Sequence, residues 1–287
     1  MVSRYRRSSI AILLAMSMIS PAIASDNLST AGTTTAVPTS PKEIQSVDLN
    51  KDYFVGYWTE TKNILTAPAR WDSSDWLEAS LVMGTAVVLY TQDENIRRWV
   101  QKNKSTTADN LSDDAKKLYL LSFPAIVGLG AYGFIAPDDK ARSTFLLSAE
   151  SFVITGAFVQ VLKHVTGRHR PYTGDPHDTW SGPTTKSEWQ SFPSGDASTA
   201  FSIASVVASE YPNVIVQTVV YGISTLVAYE RVHNDAHWAS DVFVGSAIGY
   251  YTGKAVVASH IGIKENRISF APMLNDHNTG VLVTYHF

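Results

Sequence analysis

From about Tyr53 onward, apolar residues recur at helical spacing. Candidate helices run over 74–91, 93–103, 112–135, 140–166, 197–211, 213–231 and 237–259. No repeat is visible, and no strand-like alternation precedes residue 266. Beyond it, "RISFAP" and "GVLVTYHF" alternate around "MLNDHNT", the pattern of a β-hairpin, with Val281, Val283, Tyr285 and Phe287 on one face. The expected fold class is therefore all-α: a helical bundle over 46–265, followed by a short C-terminal β-hairpin over 266–287. The hairpin reads as packed on the helices. Its alternation up to a final Phe also resembles the end signal of outer-membrane β-proteins, although one hairpin cannot close a barrel.

Two stretches, Leu118–Pro137 and Tyr211–Tyr229, contain no charged residue and reach the length of a membrane span. Both also contain Pro, Gly, Ser, Tyr, Asn or Gln, and mean hydropathy over the chain is −0.03. Helices at the centre of a large bundle would read the same way. Membrane contact is thus one of two open readings for these helices.

The beginning of the chain changes the picture. A basic "MVSRYRRSS" precedes the apolar "IAILLAMSMI", and Ala22-Ile23-Ala24 fits a cleavage site, so 1–24 reads as a secretory signal peptide; an uncleaved anchor is the other reading. Residues 25–45 are rich in Ser, Thr and Pro with almost no large apolar side chains, which predicts a disordered linker. The expected location is the periplasm or cell envelope. A net charge of −3 without a basic run excludes a general affinity for nucleic acid. The absence of cysteine excludes disulfides and thiolate metal sites.

Three clusters carry candidate chemistry. In "KHVTGRHRP", Lys163 and Arg170 are seven residues apart and would share a face of a continued helix, though Gly167 and Pro171 suggest that the helix ends within the stretch. In "FPSGD", Ser194 offers a hydroxyl, and Gly195 lets the free N–H groups of the following helix approach an anion. In "ERVHNDAHWASD", Asp241 lies four residues after His237, where a carboxylate can fix the tautomer and leave the other ring nitrogen to attack. Each cluster alone is more often structural: a solvated face, a simple cap, a packed His–Asp pair.

Together, Lys163-x6-Arg170-Pro171, Pro193-Ser194-Gly195 and Arg231-x5-His237-x3-Asp241 resemble the three-part signature of the type 2 phosphatidic acid phosphatase (PAP2) superfamily, which includes bacterial acid phosphatases and vanadium haloperoxidases. The resemblance covers 163–241, and the flanking helices suit that family's bundle. It implies that Lys163, Arg170 and Arg231 clamp phosphate oxygens, with Ser194 and the Gly195 N–H adding hydrogen bonds. His237 would be the nucleophile, oriented by Asp241. No cofactor or metal is implied, and the expected partner is a phosphorylated small molecule or lipid head group.

Two positions depart from the pattern. Glu230 replaces the usual Ser before Arg231 and could pair with it. Asp196 stands where the family has His after Pro-Ser-Gly. An ionised Asp196 at roughly 4 Å from phosphate would cost about 4 kcal/mol at an effective dielectric near 20. The helix N-terminus favours the ionised form and bound phosphate the protonated one. Asp196 is thus a candidate acid for the leaving group, with His169 and His233 as alternatives. The expected function is an exported, metal-independent phosphatase acting on monoesters or diphosphates through phosphohistidine. A catalytically weakened envelope or phosphate-binding protein and a vanadium haloperoxidase remain as other readings.

Overall fold

The computed structural model describes residues 43–44, 47, 49, 51–262, 268–275 and 278–285. The expected signal peptide and the linker as far as residue 42 lie outside them. Two units are distinct and are described separately: a helical unit within Ser46–Ser259, and a second unit holding the strands.

The helical unit contains α1 (Lys51–Thr66), α2 (Ser73–Lys102), α3 (Thr106–Ile135), α4 (Asp139–Thr166), α5 (Gly195–Glu210), α6 (Val214–His233) and α7 (Ala239–Ser259). The expected all-α architecture holds for it. Helix starts are set by side chains that satisfy the free N–H groups of the first turn. Asp72 accepts from Ser74 N and Asp75 N, and the Asp75 side chain returns to Asp72 N, a capping box that opens α2. Ser105 caps α3, Asp138 caps α4 and Asn213 caps α6. The Ser105 cap explains why α3 begins at Thr106 rather than at 112. The two segments expected at 74–91 and 93–103 are one helix, since Gln92 between them is a good helix former and breaks nothing. The helix α1 was not among the expected elements.

The bundle is centred on α5, which packs against α4, α6 and α7. Ala197 and Phe201 of α5 form a buried cluster with Ala228 of α6 and Val242 of α7. Between α5 and α7 the backbones come very close. A Cβ on Gly249 would lie 2.0 Å from the Ser198 carbonyl oxygen, and one on Gly245 would lie 2.5 Å from that of Ser194. Only glycine fits there, and the approach pins the start of α5 to α7.

The outer faces of α2 and α3 are apolar. Trp76, Leu81 and Val88 are exposed on α2, as are Leu120, Leu121 and Val127 on α3. Both α3 and α4 contain windows apolar enough to cross a membrane; the α3 window is only 11% buried, whereas that of α4 is 44% buried.

In the second unit, β1 (Glu43–Ile44) pairs antiparallel with β2 (Ile261–Gly262), while β3 (Ile268–Asn275) pairs with β4 (Asn278–Tyr285). The β3–β4 register sets Ile268 opposite Tyr285 and Asn275 opposite Asn278. Glu43 and Ile44 fall within the segment expected as linker.

Candidate active site

Lys163 lies in the last turn of α4, which ends at Gly167 with φ 61°. A Cβ at Gly167 would lie 2.0 Å from the Gly182 carbonyl oxygen, so the helix cannot continue there with another residue. Lys163 and Arg170 therefore do not share a helical face. The chain turns instead, and the two cations converge on one carbonyl: Lys163 Nζ donates to Gln190 O at 2.6 Å and Arg170 Nη2 at 3.2 Å. Arg170 also donates through Nε to Ser187 O at 2.9 Å and through Nη1 to Ala236 O at 3.0 Å. Neither cation is paired with a carboxylate in these bonds.

His237 is buried, 3% exposed, just before α7. Its Nδ1 lies 2.7 Å from the Ser191 carbonyl, which can only accept, so Nδ1 carries the proton. That leaves Nε2 with its lone pair, 3.3 Å from Arg170 Nη1. Burial holds the His237 pKa well below the ordinary 6.5, with Lys163, Arg170 and Arg231 adding to the effect and the Ser191 bond opposing it. The ring is thus a buried, uncharged imidazole facing cations.

The start of α5 supplies the other donors. Ser194 is fully buried, and its Oγ makes no hydrogen bond among the described residues. Its own N–H is fixed to Asp241 O at 3.0 Å. A Cβ on Gly195 would sit 3.6 Å from Lys163 Cε, which sets the lysine beside the free N–H groups of the helix. A buried hydroxyl, helix N–H groups and cations form a donor set suited to an oxyanion. Among the described residues, no His/Asp/Glu grouping of metal-binding geometry falls here.

Arg231, near the end of α6, has two acidic partners. Its Nη1 donates to Asp196 Oδ2 at 2.7 Å, and its Nε and Nη2 grip both oxygens of the buried Glu230. The expected Glu230–Arg231 pair is therefore present. Asp196 sits in the first turn of α5 with its side chain 37% exposed. The Tyr119 phenol of α3 lies against its carboxylate.

Asp241 does not bond His237 directly, because its Oδ2 is 3.9 Å from Nδ1. It acts through Ser191, whose Oγ donates to Asp241 Oδ2 at 2.5 Å and whose carbonyl holds the imidazole. Trp238 N also donates to Oδ2, at 3.0 Å. His169 and His233 are engaged elsewhere. The nitrogens of His169 meet Asp175 and Ser181, each at 2.7 Å, and His233 Nε2 meets Asp109 at 2.8 Å.

The sequence patterns missed Arg168 and Asp93. Arg168 is fully buried, with Nη1 donating to Asp241 Oδ1 at 2.5 Å and Nη2 to Asp93 Oδ2 at 2.8 Å. Asp93, on α2, also accepts from Ser240 N at 2.9 Å and Ser240 Oγ at 2.5 Å. The rings of Tyr90, Trp180 and Trp238 surround the guanidinium at 4.9, 5.1 and 5.6 Å.

Comparison with known proteins adds a family. Residues 144–263 match the PAP2 superfamily. A lipid A 1-phosphatase of Porphyromonas gingivalis is 25% identical over 178 residues, which is 60% of this chain and 36% of that protein. The chain thus spans about a third of the length of that relative. Among solved structures, Aquifex aeolicus LpxE aligns with a TM-score of 0.46 and 23% identity, covering 58% of this chain and 94% of its own. A transmembrane PAP2-type phosphatidylglycerolphosphate phosphatase from Bacillus subtilis aligns with a TM-score of 0.45 and 18% identity, covering 75% and 98%.

Proposed function

We propose that this chain, whose residues 144–263 match the PAP2 superfamily, is a phosphatase acting on lipid-linked phosphate monoesters or diphosphates through a phosphohistidine. One observation carries the reading. Lys163 and Arg170 converge on one carbonyl beside the unprotonated Nε2 of a buried His237.

Phosphoryl transfer needs charge stabilisation and in-line positioning more than it needs covalent machinery. In the proposed reaction, Lys163, Arg170 and Arg231 bind the phosphate oxygens, with Ser194 Oγ and the Gly195 N–H. The Nε2 lone pair of His237 forms the N–P bond as the P–O bond to the leaving group breaks. Asp196 donates a proton to the departing oxygen once phosphate has taken Arg231 Nη1 from it. Water then attacks phosphorus and the N–P bond breaks. Nε2 regains its lone pair, and the proton released by the water returns to Asp196. The sum is ester plus water giving alcohol plus phosphate.

The exposed apolar surface supports a lipid-linked substrate. A soluble bundle buries the apolar faces of its helices, whereas α3 exposes Leu120, Leu121 and Val127 along 30 residues, about 45 Å at 1.5 Å per residue. We read α3 and α4 as membrane-spanning, with the site in the cell envelope and residues 1–24 as the export signal. The relative named for lipid A fits a phosphorylated lipid.

The test is phosphate release by detergent-solubilised protein from a panel of phospholipids, lipid diphosphates and soluble phosphate esters, with acid-labile phosphate trapped during turnover. Release that is abolished in His237→Ala, with label lost from that residue, is the expected result. Label on a serine, or activity unchanged in the variant, overturns it. The two carboxylates on Arg231 support a second reading, phosphate binding without turnover, in which the wild type binds phosphate and releases none.

A further inference from the structure

We propose that Arg168 is a positioning residue which keeps His237 in its uncharged, attacking form by neutralising Asp241, with Asp93 holding Arg168 in place. The inference rests on the reading of His237 as the nucleophile.

The geometry is that of a buried relay. Asp241 Oδ2 stands 3.9 Å from His237 Nδ1, with both side chains almost wholly out of water. A bare carboxylate at that distance in a poorly screened interior draws a second proton onto an imidazole. That proton would occupy Nε2, the atom with the lone pair. Arg168 Nη1 lies 2.5 Å from the other oxygen of the same carboxylate, and neither side chain is exposed. Arg168 thus takes the charge of Asp241 and leaves its hydrogen-bonding capacity. Oδ2 still accepts from Ser191 and Trp238, and Ser191 still fixes the imidazole.

Arg168 is held on every edge. Nη2 meets Asp93, Nε meets the His177 carbonyl at 3.0 Å, and three aromatic rings enclose the plane. Asp93 is itself fixed by Ser240 at the start of α7. A lysine could supply the charge but not the fork that spans two carboxylates. The other charged groups facing His237 are Lys163 on α4, Arg170 on the following loop and Arg231 on α6, with Asp196 on α5 bound to Arg231. All three cations favour the uncharged ring. Asp241, 3.9 Å away, is the acid nearest the ring, and Arg168 is the cation bonded to it.

The readout is the titration of His237 itself, followed by NMR on isotope-labelled full-length protein in detergent and assigned by its loss in His237→Asn. In Arg168→Gln the midpoint should rise by about one pH unit or more, and the acid limb of kcat/KM should move up with it. Arg168→Lys should return most of the midpoint while recovering less of kcat. Adding Asp241→Asn to Arg168→Gln should cancel the rise. Asp93→Asn leaves Arg168 wholly to Asp241, so its midpoint should stay or fall; this variant serves if Arg168→Gln does not fold. An unchanged midpoint in folded Arg168→Gln, whatever its activity, overturns the proposal, as does a rise in Asp93→Asn. Failure to trap phosphate on His237 in the wild type would sink the nucleophile reading instead, and the titration separates the two.

Discussion

Asp196 stands where the PAP2 pattern has His after Pro-Ser-Gly, and Asp196→Asn tests its effect. In the structure its Oδ2 holds Arg231 Nη1 at 2.7 Å, so a phosphate oxygen must take that edge from it. Once bound, the phosphate lies roughly 4 Å from the carboxylate, where two unit charges repel by about 4 kcal/mol at an effective dielectric near 20. The Asp196 side chain is 37% exposed, and solvent removes more than half of this, leaving about 1–2 kcal/mol. Asn keeps the size and removes the charge. Inorganic phosphate should then inhibit about tenfold more tightly, since 1.4 kcal/mol is a factor of ten. Asn also cannot give the leaving oxygen a proton. The rate on alkyl phosphates should therefore fall by on the order of 10²-fold, while aryl phosphates, with better leaving groups, lose less. The assay is kcat and KM on both ester types, with phosphate inhibition measured alongside. Equal inhibition constants in Asp and Asn proteins would refute the charge argument. Equal alkyl rates would refute the proton role.

Other consequences are simpler to measure. Arg170→Ala should cost on the order of 10²–10⁴ in kcat/KM and Arg170→Lys somewhat less, because a point charge replaces a fork. The His237 pKa is held well below 6.5, and the ring must be unprotonated to attack, so activity is kept above the folded-state pKa and lost only as pH falls through it. The acid limb of kcat/KM should accordingly lie well below 6.5, and a limb at or above that value contradicts the burial and cation argument. Gly249→Ala forces a Cβ to within 2.0 Å of the Ser198 carbonyl oxygen. It should destabilise the fold by about 2–4 kcal/mol, seen as a lowered Tm with parallel loss of activity.

The structure brings Lys163, Arg170, Gly195 and His237 together, and these residues were legible because they sit at short spacings within three segments. The fold class followed from helical periodicity. What escaped is what long-range packing decides. Asp93 and Arg168 are 75 positions apart and meet only when α2 lies beside the loop after α4. A single Asp inside a helix looks solvent-facing until the fold buries it. The expected His237–Asp241 bond failed for a related reason. The i,i+4 spacing assumes one continuous helix, yet α7 begins at Ala239, and Ser191, distant in sequence, takes the imidazole instead. Lys163 and Arg170 meet not along a helix face but because α4 stops at Gly167, where the sequence already suggested an end, and the turn brings them together. The helix α1 escaped because Gly56, Thr59, Thr61, Asn63 and Thr66 are poor helix formers, and packing overrides that local preference.

The glycine contact between α5 and α7 acts as a gauge for the chemistry. Ser194 precedes α5, whose first N–H groups point at the site, while His237 lies just before α7 and Asp241 in its first turn. In the proposed reaction, the interval between the oxyanion donors and His237 is therefore fixed by how closely two backbones touch. Gly245 meets the carbonyl of Ser194 itself, so any atom added there would push the donors away from the attacking nitrogen. A displacement of about 1 Å is enough to cost on the order of 10²-fold in rate. Tolerance for differently shaped substrates must then come from the α3 side, which this seam does not fix and where Tyr119 lies against Asp196.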